Sequence, residues 1–165
     1  MRRPTTKNGM TKLHQCCTGN RCRKYNLPTA DKWWEHKVDK VLQKDDVKIL
    51  WDFKIQTVKH LAHNIPDITI VEKKRVWISD VAMPGDNRIE EKELEKISKY
   101  QGLKIEIERL WGKQATEVSV VIGSLGAIPR DLKKHLRTIG LENISPSQLQ
   151  KTVLLGTAYI LRKYL

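Results

Sequence analysis

Residues 64–86 read NIPDITIVEKKRVWISDVAMPGD, and the fold turns on how this stretch is read. Asp67 opens one β-branched run, Asp80 lies at the far end of the next, and Glu72-Lys73-Lys74-Arg75 separates them. Two such runs joined by a short polar turn predict an antiparallel hairpin. A carboxylate at the start of one strand and another at the end of its antiparallel neighbour then fall at the same end of the sheet. Carboxylates at strand ends are ordinarily solvated. Period-2 alternation, however, places Asp80 on the face shared by Val76 and Ile78, while Trp77 and Val81 fill the other. Both faces are apolar, which predicts a central buried strand, where a carboxylate needs a partner or a metal. The pair Asp67 and Asp80 is thus a candidate cradle for a hard divalent cation, Mg²⁺ or Mn²⁺, suited to phosphodiester chemistry.

The next segment supplies a cation. Ile89 to Trp111 predicts one long helix, with Ile97, Tyr100, Leu103, Ile107, Leu110 and Trp111 as its apolar stripe. At about 100° per residue Lys96 falls inside that stripe. A lysine so placed either snorkels to water or aims its ammonium group at the acid pair. Tyr100 lies one turn further on, and Lys99 nearer the edge of the stripe.

PDITIV, VWISDVAMPGD and EKELEKISKYQGL together resemble the restriction-like endonuclease domain at the C-terminal end of non-LTR retrotransposon polyproteins, a branch of the PD-(D/E)XK nucleases. KYNLPTADKWWEHK, KILWDFKIQT, VVIGSLGAIPRDL and LQKTVLLGTAYILRKYL extend the likeness, so that it runs from about Cys22 to Leu165. The resemblance implies that Asp67 and Asp80 bind the metal. It also implies that the catalytic lysine has moved from the strand to the following helix, at Lys96, with Tyr100 beside it. Ala82 stands where the D-x-K form of the motif has lysine, as the migrated-lysine branch requires, and Ile65 stands where a basic residue commonly precedes the proline. The polymerase and Cys-His zinc knuckle that precede this domain in such polyproteins are not within these 165 residues.

Charge agrees with a polyanionic partner: the formal net charge is +12, a balance that favours nucleic acid. DNA is the expected partner and RNA of the element a further one. Residues 1–30 carry Arg2, Arg3, Lys7, Lys12, Arg21, Arg23 and Lys24 with no acid, which predicts a flexible basic arm that touches phosphates without reading sequence. Arg21, Arg23 and Lys24, with His63 and Lys99, are the expected nucleic-acid contacts. The run holds no apolar stretch of membrane-spanning length and no secretory h-region. A nuclear location is expected, a cytoplasmic one otherwise, and secretion is not.

Other segments carry weaker signals. Cys16, Cys17 and Cys22, with His14 nearby, lack the spacing of a zinc finger or knuckle; three cysteines without secretory context suit a reducing compartment. Asp31 to Gln43 predicts a short helix whose Trp33 and Trp34 pack on the sheet. Val47 to Thr57 predicts a strand with Ile49, Trp51, Phe53 and Ile55 on one face and Asp52 outward, a place from which Asp52 could alternatively join the acidic site. His60 and His63 form H-x-x-H without a third ligand, so a surface loop is expected. Thr116 to Ile122 predicts a buried strand closed by Gly123-Ser124-Leu125-Gly126; no G-K-[ST] follows, which rejects a P-loop. A helix over Pro129–Ile139 follows. Ser145 then caps a last helix, with Pro146 in its first turn and Gln148 completing a capping box; Leu149, Val153, Gly156 and Ile160 share one face of it.

The expected fold is therefore α/β: a restriction-endonuclease-like mixed β-sheet flanked by helices, with an arm over 1–30, a core over 31–144 and a C-terminal helix over 145–165. The expected activity is Mg²⁺-dependent cutting of DNA, of the kind that nicks target DNA for target-primed reverse transcription. The alternatives are a non-catalytic nucleic-acid-binding module, or an inactive retrotransposon-derived fragment, and a basic ribosome-associated protein.

Overall fold

In the computed structural model, residue 17, residues 22–27 and residues 40–164 are described. Their element order is β1 (Val41–Lys44), β2 (Val47–Trp51), β3 (Ile68–Val71), β4 (Arg75–Ala82), α1 (Ile89–Lys99), α2 (Gln101–Trp111), β5 (Gln114–Val121), α3 (Leu132–Thr138) and α4 (Pro146–Tyr164). The strands form one sheet in the order β1-β2-β3-β4-β5. The first three pairings are antiparallel, whereas β4 and β5 are parallel. A parallel pair needs a long crossover, and α1 and α2 supply it. The sheet is mixed and flanked by helices, as expected.

The hairpin read from Asp67 and Asp80 forms in the expected register: Val71 faces Val76, and Ile68 faces Ser79. After Arg75, every residue of β4 is buried. Alternation along the strand feeds two cores. One packs Trp77, Val81, Val118 and Val120 against Leu132 and Leu136 of α3 and Leu149 and Val153 of α4. The other packs Val76, Ile78 and Ala115 against Tyr100, Leu103 and Ile107 of the crossover. Each fully buried aliphatic side chain stabilises the fold by roughly 1.5–3 kcal/mol. The last helix begins as read, with Ser145 Oγ accepting from the Gln148 N–H at 3.2 Å. Gly156 is buried, while the side chain of Ile160 lies outside those described.

Four expectations are corrected. The helix expected over 31–43 gives way, where it is described, to β1; residues 31–39, with Trp33 and Trp34, lie outside the described part. Asp45 and Asp46 make a two-residue turn that pairs Lys44 with Val47. Asp45 takes φ 51°, which a short polar side chain tolerates. The strand expected over 47–57 stops at Trp51, because Asp52 turns left-handed at φ 43°. Its four apolar residues therefore part company: Phe53 is 37% exposed, whereas Ile55 joins the crossover-side core. The single helix over 89–111 is two, broken at Tyr100 (φ −105°, ψ 8°), where a ring committed to the site interrupts the ladder and Gly102 follows with weak helix propensity.

The described portion of the expected arm is also not an arm. Cys17, Cys22 and Leu27 are buried in the first core, and the Tyr25 hydroxyl donates to the Glu72 carboxylate. Apolar residues at 17, 22 and 27 offset the basic composition that suggested a tail. Arg21 and Cys16 lie outside the described residues.

Candidate functional site

The antiparallel register sets Asp67, one residue before β3, opposite Asp80, one residue after Ser79. Residues facing each other across an antiparallel pair project to the same face of the sheet. The Asp67 Oδ2 accepts the Val81 N–H at 2.8 Å, which holds the carboxylate against the end of β4. Asp80 is 3% exposed on the crossover side. Asp67 stands close enough for its carboxyl to act on that of Asp80.

α1 brings the cations. Asp86 Oδ1 accepts the Leu125 N–H at 2.9 Å, pinning the start of the crossover to the loop after β5. A Cβ at Gly123 would stand 2.1 Å from Asp86 Oδ1, so any other residue there would displace the Asp86 side chain. From this anchor α1 runs along the sheet, and the Lys96 Nζ donates to Asp80 Oδ2. Lys99 Nζ approaches the same oxygen at 3.4 Å and lies 4.6 Å from the centroid of the Tyr100 ring, an orientation that adds cation–π attraction. The Tyr100 hydroxyl stands 3.3 Å from Asp80 Oδ1 and 3.2 Å from the Ile65 carbonyl, so that its single proton serves one or the other. Burial raises the Asp80 carboxyl above the usual range; hydrogen bonding and charge at Asp67 push the same way, and Lys96 opposes them.

These groups open into a cleft of about 790 Å³ whose lining includes Asp52, His63, Asp67, Asp80, Lys96 and Lys99. Five of the residues expected in the site, Asp67, Asp80, Lys96, Tyr100 and Lys99, are therefore brought together, and His63 stands at the mouth. Arg23 and Lys24 are not brought there. They belong with the segment tied to Glu72, at the other end of the hairpin, and Lys24 pairs with Glu142 at 3.9 Å. Cys17 and Cys22 are core residues, and burial pushes the Cys22 thiol up to about 11, away from ligand or nucleophile chemistry.

Three residues of the site had little signal in the sequence. Asp52, taken as outward, lines the cleft because its N–H donates to the Asp67 carbonyl at 3.0 Å. Glu95 enters from α1. Ser119 pairs with Asp80 in the β4–β5 register, is 2% exposed, and its hydroxyl finds no partner among the described residues. Only the parallel pairing of β5 with β4 identifies it.

Glu117, two residues before Ser119, faces Ile78, and its Oε2 accepts from Gln101 Nε2 at 2.6 Å. Burial raises its carboxyl, with Lys104 opposing and Glu108 reinforcing. A raised folded value contributes stability that is fully present below the ordinary carboxylate value of about 4.3 and lost as pH rises through the folded one. Glu117→Gln is therefore expected to gain on the wild type in thermal melts as pH rises from about 4 to about 7. A melting difference that stays constant over that range would show that ionisation of Glu117 carries no penalty.

The fit to a divalent cation rests on the acid pair. Two carboxylates in contact repel when both are ionised, and a shared cation relieves this. Mg²⁺ commonly takes one or two protein carboxylates and completes its shell with water and substrate phosphate. Asp67 and Asp80 supply that donor set. Among the described residues no group of three or more His, Cys, Asp or Glu is arranged to hold a metal. No protein-family model matches the sequence, and no match was found among curated proteins. No helix among the described residues is long and apolar enough to cross a membrane.

Proposed function

We propose that this chain is a metal-dependent DNA endonuclease domain of the restriction-like type, acting on the phosphodiester backbone in the cleft between α1 and the ends of β3 and β4. The observation that carries the reading is the convergence of Asp67, Asp80 and Lys96, from the start of β3, from β4 and from α1, at the wall of one open cleft, with the buried Tyr100 hydroxyl behind Asp80. Asp67 and Asp80 would hold Mg²⁺ or Mn²⁺. Such an ion supplies an activated water near neutral pH and draws charge from the phosphoryl oxygens. Lys96, fixed at the rim of the acid pair, is placed to stabilise negative charge developing on the phosphate. Tyr100, buried behind the acid pair, would position Asp80 through its hydroxyl. Lys99 and His63, both lining the cleft, would receive flanking phosphates.

The deciding assay is nicking of supercoiled plasmid with and without Mg²⁺. Asp67→Ala is expected to abolish Mg²⁺-dependent nicking while leaving salt-sensitive DNA binding largely intact, because the loss concerns the ion and not the basic surface. Equal nicking by wild type and variant rules the assignment out.

One observation favours a second reading, a binding module that does not cut. Lys96 and Lys99 both sit on Asp80, so two ammonium groups already balance the two carboxylates without a metal. In that case plasmid would remain supercoiled at every Mg²⁺ concentration, although DNA is retained.

A further inference from the structure

Several charges of the crossover are paired. Arg88 pairs with Glu91 at 2.8 Å and Lys92 with Glu95, and Arg109 reaches the buried Glu106 at 3.0 Å. This i,i+3 lacing is what a solvated helix face ordinarily carries. α3 and the turn before it are different. Arg130, Lys133, Lys134 and Arg137 follow the i, i+3, i+4, i+7 spacing of a single helical stripe, and all four are exposed. The opposite face sends Leu132 and Leu136 into the core, at 1% and 2% exposure, which fixes the cationic face outward.

Among the described residues none of the four stripe cations takes part in an ion pair. Of the nearby acids, Asp131 makes no ion pair with any of the four among the described residues. Glu142 faces Lys24. Each stripe residue thus has like-charged neighbours three or four positions away, and such pairs repel. A surface of this kind is costly in water and is relieved by a polyanion.

We propose that the Arg130–Lys133–Lys134–Arg137 stripe docks the phosphate backbone of duplex DNA. The choice of DNA among polyanions rests on the nuclease reading above; the stripe itself is independent of the cleft chemistry. The stripe is joined to the helix that lines the cleft, since His135 Nδ1 lies 3.2 Å from Glu93 Oε1 on α1. From Lys133 to Arg137 the helix rises about 6 Å, and Arg130 extends the row from the turn before it; the phosphates of one strand recur about every 3.4 Å along the duplex, so the stripe meets roughly three of them. Contacts of this type fix position and read no bases.

The test compares the wild type with R130Q/K133Q/K134Q/R137Q by fluorescence anisotropy on a short duplex in EDTA, across about 50 to 200 mM salt. Each phosphate contact contributes about 0.9 to the slope of log affinity against log salt. The fourfold variant is expected to bind about 10²-fold more weakly at the low-salt end, with a slope shallower by roughly three. K134Q alone should flatten the slope by about one, which keeps the test informative if the fourfold variant fails to fold by circular dichroism. An unchanged slope in a folded variant overturns the proposal. So does tighter binding of an RNA hairpin than of the duplex through the same four residues. Plasmid nicking by the wild type separates the two readings: cutting with an unchanged slope in the variant sinks the stripe alone, whereas a flattened slope without cutting leaves the stripe standing and sinks the nuclease.

Discussion

Asp80→Asn is expected to remove Mg²⁺-dependent nicking by about 10³-fold or more, since without its cation the attacking water is far less acidic and charge on the phosphoryl oxygens is no longer drawn off. The variant should nevertheless fold. Asparagine keeps the shape of the side chain, leaves an oxygen for the Lys96 ammonium and a polar group for the Tyr100 hydroxyl, and removes a carboxyl whose ionisation burial already opposes. Asp80→Ala is expected to behave otherwise. It leaves Lys96, whose side chain is 14% exposed, beside an empty place, and loss of one partner of a buried pair costs about 3–5 kcal/mol. Nicking assays and thermal melts on both variants separate the two effects. An asparagine variant that cuts like the wild type would remove Asp80 from the chemistry.

Lys96→Met is expected to lower the single-turnover nicking rate by about 10²–10³-fold, the range seen when one fixed donor to developing charge is removed. Methionine keeps the apolar stem packed on the crossover-side core, so the fold is retained. The DNA concentration needed for half-saturation should change little, because the flanking phosphates are met by other side chains. A fall in rate that merely tracks the folded fraction would make Lys96 a structural counter-ion of Asp80. The metal arm of the same experiment is instructive: with one ammonium group gone, Mn²⁺ should bind no more weakly than to the wild type.

The acid pair was legible from Asp67 and Asp80 because a short hairpin with period-2 alternation determines both the end of the sheet and the face on which a residue falls. Lys96 was legible because a charge within an apolar stripe is a local anomaly, and it survives the break at Tyr100, which lies beyond it. Asp52 was legible only as an alternative to an outward place and Ser119 not at all, since each depends on a neighbour far along the chain: Asp52 on the backbone of Asp67, Ser119 on the parallel pairing of β5 with β4. The same reason explains the missed β1. Residues 41–44 carry little strand signal alone and become a strand by pairing with β2 across Asp45 and Asp46. Composition misread residues 22–27 in the opposite direction. Arg23 and Lys24 set the charge of that segment, but Cys22 and Leu27 decide where it sits.

Isothermal titration of the metal-free protein with Mn²⁺ near neutral pH tests the central claim most directly, because it asks only whether the acid pair holds a cation. The wild type is expected to bind one ion, and Asp67→Ala and Asp80→Asn are expected to lose that heat while remaining folded. No heat from the wild type, or the same heat from all three proteins, would contradict the assignment.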